Sequence, residues 1–241
     1  MEWRYSKEKP LRVVTLCSGY DSMCLALKYS DIPFELVAWS EFDPESKAPL
    51  EKQPAVIAHN ALFPEYKDRN LGDMTKIDWT QVPDFELLFY STPCQSVSNA
   101  GLQHGFTEGS GTRSSIIWNV RDAVKIKRPK YLILENVRAM VSAKFVDLFN
   151  LWQAELEKFG YVNYAKVLNS KDFGVPQNRD RIFVVSILDG DWYNFPLEQP
   201  LKLKLKDLLE DKVDERYYLD DKKVAEFIGN LDKEKIKKIV E

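Results

Sequence analysis

The sequence predicts an α/β fold: a mostly parallel sheet with helices on both faces and an antiparallel pair of strands at one edge. Three observations carry this. Short apolar runs of β character alternate with segments of helical periodicity. Each of the first four runs ends in a polar or glycine-containing turn. Two later runs, Tyr161–Leu168 and Arg181–Leu188, are separated by too few residues for a usual crossover helix, which predicts antiparallel pairing.

In chain order, Arg12–Cys17 is the first strand and runs into Ser18–Gly19–Tyr20–Asp21–Ser22. A helical stretch, Met23–Tyr29, follows. Phe34–Trp39 is the second strand and ends at Glu41–Phe42–Asp43. Phe85–Tyr90 is the third and ends at Ser91–Thr92–Pro93–Cys94–Gln95. Tyr131–Leu134 is the fourth and ends at Glu135–Asn136. Two helical stripes are explicit: Ile116, Ile117, Val120 and Val124, then Phe145, Leu148, Phe149, Trp152, Leu156 and Phe159, with Gly160 as a stop signal. Beyond Asp189, Pro196 and Pro200 break the chain, Leu and Lys alternate over Leu201–Lys206, and Lys222–Glu241 is charged and expected to be helical. Residues 1–190 are expected to form the main domain and 191–241 a C-terminal extension.

The 241 residues carry 34 basic and 37 acidic side chains, a formal charge of −3, and 44% are apolar. Such a chain buries a large core without staples. A uniformly basic nucleic-acid coat is excluded, but a local basic patch is not. Cys17, Cys24 and Cys94 form no CxxC pair, and with only His59 and His104 beside them a structural zinc site is not expected. No run reaches the ~18 apolar residues of a membrane span, and Met1–Pro10 lacks the core of a signal peptide. A reducing, cytoplasmic setting is the expectation.

The polar residues fall where an open α/β sheet binds ligands, beyond the carboxyl ends of its strands. Gly19, Glu41, Asp43, Asp73, Cys94 and Glu135 all sit at or just after expected strand ends, which describes one crevice. Gly19 is either a plain turn glycine or a point of close ligand approach. Glu41 and Asp43 are either a solvated acidic turn or acceptors for a ribose diol. Asp73, after Gly72, is either a turn aspartate or an acceptor for an exocyclic amine. Pro93 restricts the backbone before Cys94, and a helix starting after Cys94 would lower its thiol pKa. Gly109–Ser110–Gly111–Thr112–Arg113 reads as a segment able to open and close. Burial of Glu135 would raise its pKa and suit it to share a proton. Arg179 and Arg181 fall on one side of an extended segment, available as fork-shaped donors.

With these residues in order, the chain resembles the cytosine-C5 DNA methyltransferases. Pro93–Cys94–Gln95, Glu135–Asn136–Val137 and Gln177–Asn178–Arg179–Asp180–Arg181 carry the resemblance. Thr15–Leu16–Cys17–Ser18–Gly19 and Gly72–Asp73–Met74 are similar to the family's first and third motifs, and Asn99–Ala100–Gly101 and Thr112–Arg113–Ser114 fall where the family has similar residues. The resemblance covers about Arg12 to Leu188. It implies a Rossmann-like S-adenosylmethionine-dependent methyltransferase fold, with residues 1–190 as the cofactor-binding catalytic domain. Glu41 would hold the ribose hydroxyls, Asp73 the adenine amine, and Phe42 would stack near the adenine. Ser18, Gly19, Met74 and Pro93 complete that pocket. A cytosine flipped from duplex DNA would meet Cys94 as nucleophile at C6, Glu135 at N3, Arg181 at O2 and Arg179 in support. No metal is expected.

There are departures. Tyr20–Asp21–Ser22 stands where the family is richer in glycine, and Ser91–Thr92 replaces the glycine or phenylalanine common before the Pro–Cys pair. After Asp189 no target-recognition domain, further arginine motif or final Asn-containing motif is found. The expectation is a DNA cytosine methyltransferase, microbial or phage-encoded, that is truncated or one part of a split enzyme whose second polypeptide reads the target. An RNA cytosine methyltransferase and a catalytically weak cofactor- or partner-binding module are the alternatives.

Overall fold

The computed structural model describes residues 5–94, 105–190 and 192–229. The chain divides into two compact units, the first ending at Leu201 and the second running from Lys202 to Glu241. Gln95, Asn99–Ala100–Gly101, the helix expected after Cys94 and the end of the charged C-terminal stretch lie outside the described residues.

Six strands form one sheet in the order β2-β1-β3-β4-β6-β5. They are β1 (Leu11–Leu16), β2 (Phe34–Ser40), β3 (Leu87–Tyr90), β4 (Tyr131–Val137), β5 (Tyr161–Asn169) and β6 (Asp180–Leu188). The pairs among β2, β1, β3 and β4 are parallel, whereas β6 runs antiparallel to both β4 and β5. The sequence expectation of a mostly parallel sheet with an antiparallel edge pair therefore holds.

Alternation along the strands sorts the core onto two faces. Val14, Leu16, Leu88, Tyr90, Leu132 and Leu134 point to one side, where they pack on α3 (Val120–Lys127) and α4 (Val146–Lys158) through Val120, Val124, Phe149, Trp152 and Leu156. Leu11, Val13, Leu36, Leu87 and Phe89 point to the other, onto α1 (Ser22–Tyr29) and α2 (Pro54–Leu62) through Cys24, Leu27 and Val56. The stripe beginning at Ile116 is not one helix: Arg113–Asn119 is 3₁₀, and α3 begins only at Val120. Gly160 ends α4 with a left-handed φ of +90°, a conformation glycine adopts without steric cost.

One strand departs from expectation in a way that matters. Glu135 lies within β4, opposite Phe183 of β6, not beyond the strand's end. The parallel β3–β4 ladder stops at Tyr90–Leu134, but the antiparallel β4–β6 ladder continues to Val137–Arg181. The last three residues of β4 therefore overhang the carboxyl ends of the parallel strands and pair in the sheet with β6 alone.

In the second unit the described elements are two short 3₁₀ turns, Leu205–Leu208 and Glu215–Tyr217, and the helix α5 (Asp221–Gly229).

Candidate active site

The strand order reverses between β1 and β3, each of which starts a connection to the opposite side of the sheet. This topological switch point opens a crevice at the carboxyl ends of the strands. The single crevice expected from sequence resolves into three cavities.

The first, of about 280 Å³, is lined by Glu41, Phe42, Asp73, Met74 and Pro93, together with Cys17 and Arg113. Its two carboxylates come from turns that are locked together. Asn70 Oδ1 accepts from the Glu41 and Gly72 N–H groups, its Nδ2 donates to the Glu41 carbonyl, and Ser40 Oγ donates to the Gly72 carbonyl at 2.6 Å. Glu41 Oε2 accepts the Gly19 N–H at 2.7 Å, which ties the turn after β1 to the end of β2. Among the described residues Glu41 Oε1 takes no hydrogen bond. Burial raises the Glu41 carboxyl above the usual range, and nearby Asp43 adds to this, while the Gly19 N–H and His59 offset only part of it. Partial burial also works against an ionised Asp73, but hydrogen bonds from Thr75 and the Lys76 ammonium outweigh it and hold that carboxyl below its usual value.

The Cys17 thiol is pushed up to about 12, first by burial and then by the charges of Glu41 and Asp73. Its sulfur sits 3.4 Å from that of Met74. It is an inert wall of the pocket rather than a nucleophile.

The second cavity, about 190 Å³, brings together Cys94, Glu135, Arg179 and Arg181 with Ser91, Thr92, Pro93 and Asn136. Arg181 Nε lies 3.0 Å from Glu135 Oε1, and both side chains are about one-fifth exposed, at 22% and 18%. Ser91 Oγ donates to Glu135 Oε2 at 2.6 Å. The backbone leading to Cys94 is held from two sides. Asn136 Nδ2 donates to the Thr92 carbonyl at 3.0 Å, and Ser114 Oγ donates to the Pro93 carbonyl at 2.6 Å. Arg179 is exposed; its N–H donates to Asn169 Oδ1 and its carbonyl accepts from Ser170.

The third and largest cavity, about 1110 Å³, runs along Ser18, Gly19 and Tyr20 and reaches Glu135 and Arg181. Asp21 fixes its rim. It adopts a left-handed φ of 65°, accepts from Thr15 Oγ1 at 2.8 Å, and caps α1 by accepting the Cys24 N–H. This side chain supplies by hydrogen bonding what a glycine would supply by freedom.

Sequence reading had not marked Ser91, Asn136, Ser114 and Asp21 as functional. Ser91 and Asp21 stand at the departures from the family pattern, which was the available signal. Asn136 and Ser114 lie within motifs that carry the resemblance, but what they hold is visible only in three dimensions.

The fold is that of the Rossmann-like S-adenosylmethionine-dependent methyltransferases. The solved structure of S. pombe Dnmt2 methyltransferase matches it with a TM-score of 0.65 at 19% identity, over 92% of this chain and 66% of that one. The Entamoeba histolytica methyltransferase EhMeth matches with the same score at 22% identity, over 88% and 63%. The chain belongs to the C-5 cytosine-specific DNA methylase family, which matches residues 11–240 and so extends past Leu188, where the recognisable motifs end. The Type II methyltransferase M2.ScrFI of Lactococcus lactis subsp. cremoris is 44% identical over 259 residues, covering 90% of this chain and 72% of that protein. The orphan methyltransferase M.Rho11sI of Bacillus phage rho11s is 31% identical, covering 95% of this chain but 50% of that protein. Family membership makes S-adenosylmethionine the cofactor and cytosine C5 methylation the chemistry of this catalytic domain. Among the described residues, no helix is long and apolar enough to cross a membrane.

Proposed function

We propose that this chain methylates C5 of a cytosine flipped out of duplex DNA, as the modification activity of a Type II or orphan methyltransferase. The observation that carries this is the single cavity shared by Cys94, Glu135, Arg179 and Arg181. The neighbouring cavity fits an adenosine by the chemistry of its lining: a carboxylate with an unengaged oxygen for a ribose diol, a second carboxylate for an amine, and the half-exposed Phe42 ring.

When bound there, S-adenosylmethionine supplies an electrophilic methyl group. Glu41 holds the ribose hydroxyls, Asp73 the adenine amine, and Phe42 packs on the base. Met74 and Pro93 shape the remaining wall, and Ser18 and Gly19 line the adjoining larger cavity, where the rest of the cofactor would extend. In the second cavity the Cys94 thiolate adds to cytosine C6, forming the S–C6 bond and sending electron density toward N3. Glu135, carrying a proton, donates it to N3 and so neutralises that charge, Arg181 holds O2, and Arg179 supports the geometry. C5, now enamine-like, would take the methyl group as the sulfonium S–CH3 bond breaks and leaves a neutral thioether. Loss of the C5 proton to a solvent base, return of the N3 proton to Glu135 and departure of Cys94 restore the aromatic ring and the free thiolate.

Residues 191–241 begin the link to a target-recognition region, on the same chain or on a second polypeptide. That region adds phosphate contact to a chain whose formal charge is −3. The test is a covalent adduct with duplex DNA containing 5-fluorocytosine in the presence of cofactor. The adduct is expected with Cys94 and absent in Cys94→Ala. An adduct with structured RNA and none with DNA sinks the DNA reading, and no adduct even when a recognition subunit is added favours a binding module.

A further inference from the structure

The adenosine-type cavity and the Cys94 cavity share Pro93, and of two consecutive residues one lines the first cavity and the other holds the Pro93 carbonyl. Arg113 and Ser114 open the 3₁₀ helix Arg113–Asn119. The Arg113 guanidinium lines the first cavity and reaches the acidic turn of β2, with Nη2 3.1 Å from Asp43 Oδ1 and Nη1 3.4 Å from Glu45 Oε1. Ser114 Oγ donates to the Pro93 carbonyl at 2.6 Å, one peptide before Cys94.

The base of this segment is pinned. Trp118 Nε1 donates to the Phe106 carbonyl at 2.7 Å, Thr112 Oγ1 donates to the Gly105 carbonyl at 3.1 Å, and Ser115 Oγ donates to the Thr112 carbonyl at 2.7 Å. Phe106 and Ile117 are fully buried. The tip is open: Gly109 and Gly111 have left-handed φ, and nothing lies within 4 Å of where a Cβ would stand. Adjacent residues on a pinned helical turn move together, so a shift at Arg113 is felt at Ser114. Arg113 is one-third exposed and its two acidic partners more so. Ion pairs of that kind contribute little to folding stability. A planar fork bridging two carboxylates instead fixes position.

We infer that Arg113 and Ser114 are positioning residues that couple occupancy of the adenosine pocket to the placement of Cys94. The inference rests on the reading of the two cavities given above. A ligand filling the first cavity meets Arg113 and Ile116 directly. The turn they belong to then sets the Pro93 carbonyl, and with it the peptide that carries the nucleophile. Coupling of this sort is reciprocal, so a base held at Cys94 tightens the cofactor site by the same factor.

The test uses the full chain with S-adenosylhomocysteine as ligand. Its dissociation constant is measured by calorimetry, and iodoacetamide labelling of Cys94 is followed by mass spectrometry with and without saturating ligand. In the wild type, ligand is expected to change the Cys94 labelling rate about 5-fold or more, a coupling of ordinary allosteric size. Ser114→Ala should leave the dissociation constant within about 2-fold yet bring the rate ratio close to 1, while Ser114→Thr, which keeps the hydroxyl, retains the ratio. Arg113→Ala should weaken ligand binding about 10-fold and also flatten the ratio at saturation, with Arg113→Lys between the two. A wild-type chain that binds ligand with no change in Cys94 labelling overturns the coupling. So does a ratio that survives both Arg113→Ala and Ser114→Ala. A wild-type chain that does not bind S-adenosylhomocysteine overturns the reading of the cavity itself, and the coupling with it.

Discussion

Glu41 and Glu135 are both carboxylates at the switch point of one sheet, yet the molecule holds them in opposite ways. Glu41 ends a parallel strand, is pushed up in pKa mainly by burial, and takes one backbone N–H while its other oxygen stays unengaged. Glu135 lies in the antiparallel overhang of β4 with both oxygens occupied, one by Arg181 and one by Ser91. The first arrangement suits an acceptor that receives hydroxyl groups from a ligand. The second fixes the direction of a carboxyl group before the substrate arrives, as proton delivery to a set ring nitrogen requires.

That contrast can be broken on either side. The largest effect is expected at the nucleophile: Cys94→Ala should lower methyl transfer at least about 10³-fold while leaving the melting temperature nearly unchanged, since no covalent path remains. A radiolabelled methyl-transfer assay alongside thermal unfolding checks both halves. Next, Glu135→Gln keeps the shape but removes the charge partner of Arg181. It should cost about 10²-fold in kcat with little change in the KM for cofactor. Glu41→Ala should show the reverse pattern, with the cofactor KM raised about 10-fold and kcat at saturation nearly retained. Steady-state kinetics in both substrates separates these two outcomes. A kcat defect in Glu41→Ala would erase the distinction drawn between the carboxylates.

A smaller effect sharpens the comparison through pH. Because the Glu41 carboxyl is raised, it takes up its proton at a higher pH than an ordinary glutamate, whose value is about 4.3. Cofactor affinity should therefore fall as pH drops through that raised value, and Glu41→Gln should be weaker but flat over the same range. Calorimetric titrations run downward from pH 8 toward the ordinary glutamate value test the sign. The smallest effect is expected at Cys17. With its thiol held up to about 12, it stays protonated at pH 8, and Cys17→Ser should change turnover less than about 2-fold. Iodoacetamide should label Cys94 while sparing Cys17 and the buried Cys24.

Much of this was legible from residues alone. The alternation of apolar runs named five of the six strands to within a residue or two, because a buried strand must be apolar to satisfy two packed faces. The short link between Tyr161–Leu168 and Arg181–Leu188 dictated antiparallel pairing. Glu135 is the instructive miss. The apolar run ends at Leu134, so the strand was expected to end there too. Pairing with β6 carries it three residues further, through polar positions that periodicity cannot recognise. Arg179 and Arg181 were placed on one side of an extended segment by their spacing. Only the structure shows Arg181 ion-paired to Glu135 while Arg179 stays exposed at the rim of the same cavity.

By itself the sequence determined the fold class, the family and the residue types able to do the chemistry. These follow from periodicity and from motifs a few residues long, which are local properties of the chain. The tertiary structure decided that one expected crevice is three cavities, which share Cys17, Pro93 and Glu135 pairwise along their borders. It also decided that Asn136 and Ser114 hold the approach to Cys94, and that Asp21 stands in for a glycine. The Asn136 and Ser114 contacts join residues 44 and 21 positions apart, whereas the Asp21 bonds to Thr15 and Cys24 span 6 and 3. Strand register and hydrogen-bond partners at the longer range are set by the packing of the whole sheet, which no short stretch of sequence encodes.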